Sequence, residues 1–130
     1  MRHWDDEKDR RVTQLRKGIL ELAVMGALYY EPHYGYSLVR ALTQDGSISL
    51  KEGTIYPILA RLHRDNLVRS EWVESVQGPP RKYYTLTAAG RQLYTELRED
   101  FDLLISLVKQ DWGIRERPEN TGKKILIRKR

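Results

Sequence analysis

The sequence predicts an α+β domain that is mainly α-helical, with the layout of a winged helix-turn-helix followed by a long C-terminal helix. In three successive segments, apolar residues recur every three or four positions. Two β-type segments follow, separated by the turn signal Gly78-Pro79-Pro80. The last periodic segment is too long, and too apolar on one face, to be covered by so small a body.

The first helix is predicted to follow a charged leader, residues 1–11, and to run from Val12 to about Tyr30, just before Pro32. Its apolar positions recur at helical spacing on most sides, which predicts a central, well-buried helix. They include Leu15, Ile19, Leu22 and Gly26.

Two further helices are predicted before the hairpin. The second is short and occupies residues 34–44. The third begins where Ser49 and Glu52 have the spacing of a capping box, and it ends near Asp65-Asn66. One face of it follows the i, i+3, i+4, i+7 pattern and is expected in the core. That face consists of Ile55, Ile58, Leu59 and Leu62.

The hairpin strands are predicted at residues 67–75 and 81–86, and Thr87 is the expected N-cap of the final helix. This helix runs from Ala88 to about Trp112, with Gly113 as its stop. Its apolar stripe predicts a dimer interface, because a second copy is the natural cover for it. The stripe consists of Leu93, Leu97, Phe101, Leu104 and Val108.

The chain therefore divides into a leader at residues 1–11, a winged domain at 12–86, a dimerisation helix at 87–112 and a tail at 113–130 that is expected to be disordered. The tail holds the net charge of +5, with seven basic and two acidic residues. The first 112 residues hold sixteen of each sign. A body without net charge can bind nucleic acid only through a local cationic patch. The role of the basic tail stays open.

Several classes of function lack support in the sequence. The absence of cysteine excludes disulfides and thiolate metal sites and fits a reducing cytoplasm. No apolar run approaches the ~20 residues that span a bilayer. His3, His33 and His63 are isolated and are expected at the surface. No phosphate loop, nucleophile elbow or paired-carboxylate motif is present, so neither catalysis nor a cofactor or metal is expected.

The outer face of the third helix carries groups suited to DNA. A helix in the major groove needs short polar and cationic side chains near its N-terminal end, with cations further along to hold phosphates. An ordinary solvated face is the alternative for this helix taken alone. The candidate residues are Lys51, Thr54, Tyr56, Arg61 and Arg64.

The hairpin adds two cations, Arg81 and Lys82, directly after a turn that two prolines stiffen. A stiff loop loses less entropy on binding, and these cations suit phosphates or the minor groove. The alternative is a solvated turn. Tyr83 and Tyr84 point to opposite faces, and for both of them packing is favoured over base stacking.

Phe101 lies near the middle of the final helix. In a pair of such helices it would sit near the dimer axis, where a flat side chain can stack on a planar aromatic ligand. Plain interface packing is the alternative.

Taken together, two runs make the chain resemble the PadR-like transcriptional regulators. G-T-I-Y-P-I-L-x-R-L spans residues 53–62, and R-K-Y-Y-x-L-T-x-x-G spans residues 81–90. The resemblance covers residues 16–90 and, in outline, the long helix. Further residues that carry it are Gly18, Glu21-Leu22-Ala23 and Tyr34-Gly35-Tyr36.

The resemblance implies a homodimeric winged-helix repressor whose third helix enters the major groove of operator DNA. It places Thr54, Tyr56 and Arg61 on the reading helix, and Arg81 and Lys82 on the wing. It also suggests release by a small aromatic compound, as for some short-tailed members. A different possibility stays open, namely a winged-helix dimer that binds small molecules or proteins without specific DNA binding.

Overall fold

A computed structural model describes residues 2–113 of the chain. Its elements confirm the predicted class, with four helices and one antiparallel two-stranded sheet. In chain order they are α1 Arg2–Tyr30, α2 Gly35–Thr43, α3 Glu52–Arg64, β1 Val68–Val73, β2 Arg81–Leu86 and α4 Ala88–Val108. The chain forms two compact units, one ending at Arg98 and one beginning at Glu99. The predicted tail, from residue 114 on, lies outside the described residues.

Helix α1 begins ten residues earlier than Val12, at Arg2, so the predicted start is wrong. The leader is helical because its charges pair along the helix. Glu7 pairs with Arg10 and, at 2.7 Å, with the Nε of Arg11. Such i, i+3 and i, i+4 pairs stabilise a helix without any apolar period.

The expectation that α1 is buried along its length is also wrong. Leu15 and Ile19 are 65% and 42% exposed. The helix enters the core only through its C-terminal part, where Val24, Met25 and Leu28 are at most 2% exposed. The earlier turns expose an apolar face that no other part of the described residues covers.

The core of the first unit is small and gathers residues from every element. The predicted stripe of α3 is confirmed, since its four residues are each at most 6% exposed. The buried cluster consists of Val24, Met25, Leu28, Leu38, Ile55, Ile58, Leu59, Leu62, Val68, Tyr84, Leu86 and Tyr94.

The predicted N-terminal cap of α3 is wrong, whereas its predicted C-terminal end is confirmed. Ser49 does not cap the helix, because the N-cap is Lys51 and its side chain makes no capping hydrogen bond. Lysine has no acceptor to offer the first amides. The C-terminal end is confirmed: Asp65 is the C-cap, and Asn66 has φ 61°, the left-handed conformation that commonly ends a helix.

The hairpin pairs Val68 with Leu86 at its base and Val73 with Arg81 near its tip. Gly78 in the connecting loop has φ 102°, which favours glycine. The sheet has an extension outside the hairpin. The amide of His33 donates to the Tyr84 carbonyl at 3.2 Å, and the amide of Tyr84 donates to the His33 carbonyl at 2.8 Å.

Thr87 is the predicted N-cap of α4 and is confirmed, because its Oγ1 accepts from the Gly90 amide at 3.0 Å. The same hydroxyl donates to the Asn66 carbonyl at 2.9 Å, and the Thr87 amide donates to the Leu67 carbonyl at 3.0 Å. Thr87 therefore joins the end of α3, the start of the hairpin and the start of α4.

Helix α4 ends at Val108, four residues before the predicted end. The amide of Gln110 bonds to the carbonyl three residues back, at Leu107, which tightens the last turn. The Gly113 amide then donates to the Asp111 carboxylate at 2.8 Å. Gly113 has φ 85°, as a stop residue does, but it lies beyond the end of the helix.

The start of α4 lies very close to the start of the hairpin at Gly90, and a substitution there tests this contact. A Cβ there would lie 2.1 Å from the Leu67 carbonyl oxygen, so Gly90→Ala must push two backbone segments apart. We expect it to lower the free energy of unfolding by about 1–3 kcal/mol. Urea unfolding followed by circular dichroism, at one fixed protein concentration, measures this.

Gly18→Ala is the matched control, because a Cβ at Gly18 meets nothing within 4 Å. Alanine is the better helix former by about 1 kcal/mol. Unchanged or raised stability is therefore expected for the control. Equal effects of the two substitutions would contradict the close approach.

Candidate nucleic-acid interface

The outer face of α3 is exposed, as its pattern predicts. Lys51, Thr54, Tyr56 and Arg64 are all exposed, and Arg61 is half-buried. The four buried residues on the opposite side fix the rotation of the helix about its axis. The fold therefore presents the five candidate side chains in a set order along one accessible face.

Tyr56 has a packing role that the sequence pattern did not reveal. Its phenol lies against the backbone of α2, since a Cβ built on Gly35 would lie 2.2 Å from the phenol oxygen. Its hydroxyl donates to the Glu52 carboxylate at 3.0 Å. Burial is the main cause that raises the pKa of Tyr56, and the hydrogen bond with Glu52 and its charge add to the shift. Tyr56 thus sets the distance between α2 and α3 while 46% of it stays exposed.

The two arginines of α3 have acidic neighbours. The Nε of Arg61 lies 3.5 Å from a carboxylate oxygen of Glu21 on α1, and the Nε of Arg64 lies 3.8 Å from Asp65. The pair between Arg61 and Glu21 links α3 to α1. A phosphate at Arg61 would have to share the guanidinium with this carboxylate.

The wing cations rest on aromatic rings. The Arg81 guanidinium lies 4.5 Å from the centroid of the Tyr34 ring, and Tyr34 meets Tyr83 edge-on at 5.2 Å. The Lys82 amine lies 5.7 Å from the Trp72 ring centroid and 5.9 Å from that of Tyr84. These contacts hold the two cations at the surface of the hairpin.

The two tyrosines of β2 pack as expected. Tyr84 is buried in the core, and Tyr83 is half-buried against Tyr34. Burial raises the pKa of Tyr84. Neither ring is presented for stacking on a base.

Sequence reasoning missed three exposed side chains beside these candidates. Tyr36 and Arg40 lie one turn apart on α2, with the guanidinium 5.8 Å from the Tyr36 ring. Trp72 is 67% exposed on β1, next to Lys82. Their place in the chain could have indicated them, because in a winged helix-turn-helix α2 and the wing lie next to α3.

His33 is a correction to the expectation of three surface histidines, since it is only 7% exposed. It sits in the turn before α2, where its backbone pairs with Tyr84. Its Nδ1 lies 2.9 Å from the Ser37 hydroxyl. Because that hydroxyl donates to the Tyr34 carbonyl, Nδ1 is the donor to Ser37. His63 is exposed, as expected.

The contacts connect α3, α2 and the wing in one series. Tyr56 of α3 touches Gly35, the neighbouring Tyr34 carries Arg81, and Arg40 follows on α2 through Tyr36. All of these residues belong to the first unit. One candidate side chain of α3, Tyr56, and one of the wing, Arg81, therefore both contact the N-terminal end of α2.

Comparison with known families decides the relationship. The sequence model of the "Transcriptional regulator PadR-like family" matches residues 24–96, which is more than half of the chain. This chain belongs to the PadR-like family. The resemblance noted from the two sequence runs is confirmed.

Solved structures of PadR-like proteins agree. A PadR-like transcription factor from Bacteroides fragilis is 41% identical over 76% of this chain and 95% of its own, with a TM-score of 0.66. A PadR family regulator from Eggerthella lenta is 35% identical over 83% and 94%, with a TM-score of 0.69. A PadR-like regulator from Bacillus cereus is 33% identical over 73% and 92%, with a TM-score of 0.66.

The predicted dimer residues of this PadR-like chain differ in exposure. Leu93 is half-buried against the core of the first unit, and Leu97 is 36% exposed. In the second unit Leu104 and Val108 are 58% and 72% exposed, whereas Phe101 is half-buried. The part of the stripe beyond Arg98 is therefore the more accessible part.

Residues 2–113 lack two further kinds of feature. No described helix is long and apolar enough to cross a membrane. No three His, Asp or Glu side chains within this range are grouped so that they could hold a metal ion.

Burial of His33 predicts a pH dependence of stability. Desolvation lowers the pKa of His33 below its ordinary value of 6.5, while Glu31 opposes the shift. The unfolded chain then takes up the proton first, so the contribution is present above that ordinary value and is lost as pH falls through the folded pKa. We expect the urea midpoint to drop between about pH 7.5 and about pH 5.5.

His33→Asn keeps an amide donor for Ser37 and removes the titrating ring, so its acid-side drop is expected to be smaller. His63→Asn, at an exposed position, is the control and is expected to follow the parent protein. The same drop in His33→Asn as in the parent would contradict this role for His33.

Proposed function

We propose that this PadR-like regulator is a homodimeric repressor that binds double-stranded operator DNA. Helix α3 enters the major groove, and the hairpin grips the flanking backbone as a wing. The observation that carries the proposal is the short stretch Tyr34-Gly35 at the start of α2, where Tyr34 supports Arg81 of the wing and Gly35 receives the ring of Tyr56 from α3.

The N-terminal half of α3 supplies the proposed reading surface. Lys51 and Thr54 are exposed at the helix start, where short polar and cationic groups reach base edges. Tyr56 adds a half-exposed phenol one turn along. Arg61 and Arg64 lie further along the helix and are assigned to phosphates, which fix register without reading sequence.

The wing supplies preorganised cations. Because Arg81 already rests on Tyr34 and Lys82 lies between two rings, little side-chain entropy is left to lose on binding. Residues 1–112 have no net charge, so this cluster must supply the local field that the body lacks.

Exposed apolar side chains support dimerisation. Among the described residues, large apolar side chains are exposed on α1 at Trp4, Val12, Leu15 and Ile19, and on α4 at Leu104 and Val108. Full burial of one such side chain contributes about 1.5–3 kcal/mol. A second copy that covers them would present two reading helices to half-sites about one DNA turn apart.

Repression and ligand release are the finer parts of the proposal. A dimer that covers about one turn of promoter DNA represses by occupying the site. Phe101 is half-buried in the second unit and is the flat side chain that we assign to a small aromatic ligand. A ligand that favours one arrangement of the dimer would alter DNA affinity by its differential binding.

DNA binding is tested by fluorescence anisotropy on duplex from the region upstream of the protein's own gene. Arg61→Ala is expected to lower affinity about tenfold, because a phosphate contact is lost. Arg81→Ala combined with Lys82→Ala is expected to reduce the slope of log K against log salt by about 1.8. Melting curves of each variant show whether the fold persists.

Glu21→Gln is the control for Arg61. It removes the competing carboxylate and keeps the cation, so affinity should be unchanged or higher. Unaltered binding in both the Arg61 variant and the wing variant would sink the site assignment. DNA affinity of the parent protein without a steep salt dependence would favour the alternative, a winged-helix module that binds small molecules or proteins.

The dimer is tested by light scattering after gel filtration. Leu104→Asp combined with Val108→Asp places two charges in the proposed interface, and we expect the dimer to dissociate to monomer. Leu103→Asp is the matched control, because Leu103 is 70% exposed and lies off the predicted stripe. A dimer that survives in the double variant would contradict the interface.

Ligand binding is tested by titrating a panel of planar aromatic compounds while tryptophan fluorescence and dimer melting are recorded. At least one compound is expected to raise the melting temperature of the parent protein and leave Phe101→Ala unaffected. Phe101→Leu, which keeps the packing volume, separates stacking from packing. No shift with any compound would leave Phe101 as an interface residue.

A further inference from the structure

Helix α1 has two different exposed faces. One is apolar and contains Val12, Leu15 and Ile19. The other holds Thr13, Arg16, Lys17 and Leu20, which follow the i, i+3, i+4, i+7 spacing of a single helix face. The second face is cationic at its centre and ends at Leu20, which packs against the core.

The cationic face of α1 and the start of α3 line one open groove. Arg16 and Lys17 lie on the α1 side, and Lys51, Thr54 and Arg61 lie on the α3 side. Leu20, Leu50 and Ile58 are among the residues that make the lining partly apolar. The groove thus combines four cations with apolar groups and opens at the N-terminus of the proposed reading helix.

Only one of these four cations has an acidic partner among residues 2–113. Arg61 pairs with Glu21, and the nearby Glu52 accepts from the Tyr56 hydroxyl. Across the part of the chain that the structure describes, Arg16, Lys17 and Lys51 pair with no carboxylate. Elsewhere on the same helix Arg10 and Arg11 both pair with Glu7. The place where α1 meets α3 therefore carries positive charge that no described carboxylate neutralises.

We propose that the cationic face of α1 is an additional DNA contact, in which Arg16 and Lys17 bind backbone phosphates beside the major groove that α3 enters. This inference rests on the proposed function. Lys51 and Thr54 open the reading helix and also line this groove, so the two surfaces are continuous. A helix in the major groove is bordered by a phosphate strand, and cations beside its start are placed to meet that strand.

The contact has a defined thermodynamic signature. Phosphate contacts release counterions and carry no sequence information, so they strengthen binding to every duplex alike. The apolar residues of the groove would face deoxyribose. Helix α1 would then contribute to affinity and register, while Thr54 and its neighbours on α3 carry the discrimination between sequences.

The test measures anisotropy at several salt concentrations, on the upstream duplex and on a scrambled duplex of the same length. Arg16→Ala combined with Lys17→Ala is expected to weaken binding roughly tenfold on both duplexes. The slope of log K against log salt is expected to fall by about 1.8, for two phosphate contacts. Both positions are exposed on a helix, where alanine is well tolerated.

Arg10→Ala combined with Arg11→Ala is the matched control, because it removes two cations from the same helix outside the groove. It is expected to leave the slope unchanged. The exchange of Arg16→Lys with Lys17→Arg keeps both charges and is expected to keep the slope. An equal loss of slope in the control and the groove variant would overturn the proposal, since a general field would then explain it.

Parent-like affinity and slope in the groove variant would also overturn the proposal while leaving the reading helix and wing in place. If the parent protein shows no salt-dependent DNA binding at all, the proposed function fails and the inference fails with it. The wing and Arg61 variants, measured in the same series, separate these two results.

Discussion

The arrangement of the candidate surface depends on the backbone pairing of His33 with Tyr84. These two hydrogen bonds join the turn before α2 to the wing strand that leads into the core. Tyr34 follows directly and supports Arg81, and Gly35 follows next and receives the Tyr56 ring. Two helices and the wing are thus positioned by one short stretch of chain. Burial of the His33 side chain excludes water from this pairing.

The first unit has a closed hydrophobic core, but part of its apolar surface is exposed. Its core is closed by contacts at close range, such as Gly90 against the Leu67 carbonyl and Tyr94 beneath Gly26. The early turns of α1 contribute nothing to that core and expose a bulky apolar face. A chain of this size buries a modest core, so a partner that covers α1 would add stability as well as symmetry.

The sequence pattern correctly predicted those features that depend on neighbouring residues within one element. The buried face of α3, the strand Arg81–Leu86 and the Thr87 cap follow from periodicity and capping chemistry, and each is confirmed. The helical leader was missed because ion pairs, rather than apolar spacing, stabilise it. Burial of His33 was missed because it results from pairing with Tyr84, about fifty positions away in the chain.

The candidate site was predicted in its residues but not in its connections. Exposure of Thr54 and Tyr56 follows from the face opposite the buried stripe. The contact of Tyr56 with Gly35, the pair of Arg61 with Glu21, and the support of Arg81 by Tyr34 all join residues that are distant in sequence. No periodicity within one element contains that information, so these contacts required the folded chain.

The run of rings and guanidinium groups from Arg40 through Tyr36 and Tyr34 to Arg81 has an evolutionary consequence. Neighbours that share a partner have non-additive effects when they are replaced. A change at Arg81 alters the setting of Tyr34, and through it that of α2. If the wing contacts DNA as proposed, its adaptation to a new DNA site would therefore require paired substitutions. The order in which these substitutions arise would limit which variants can evolve.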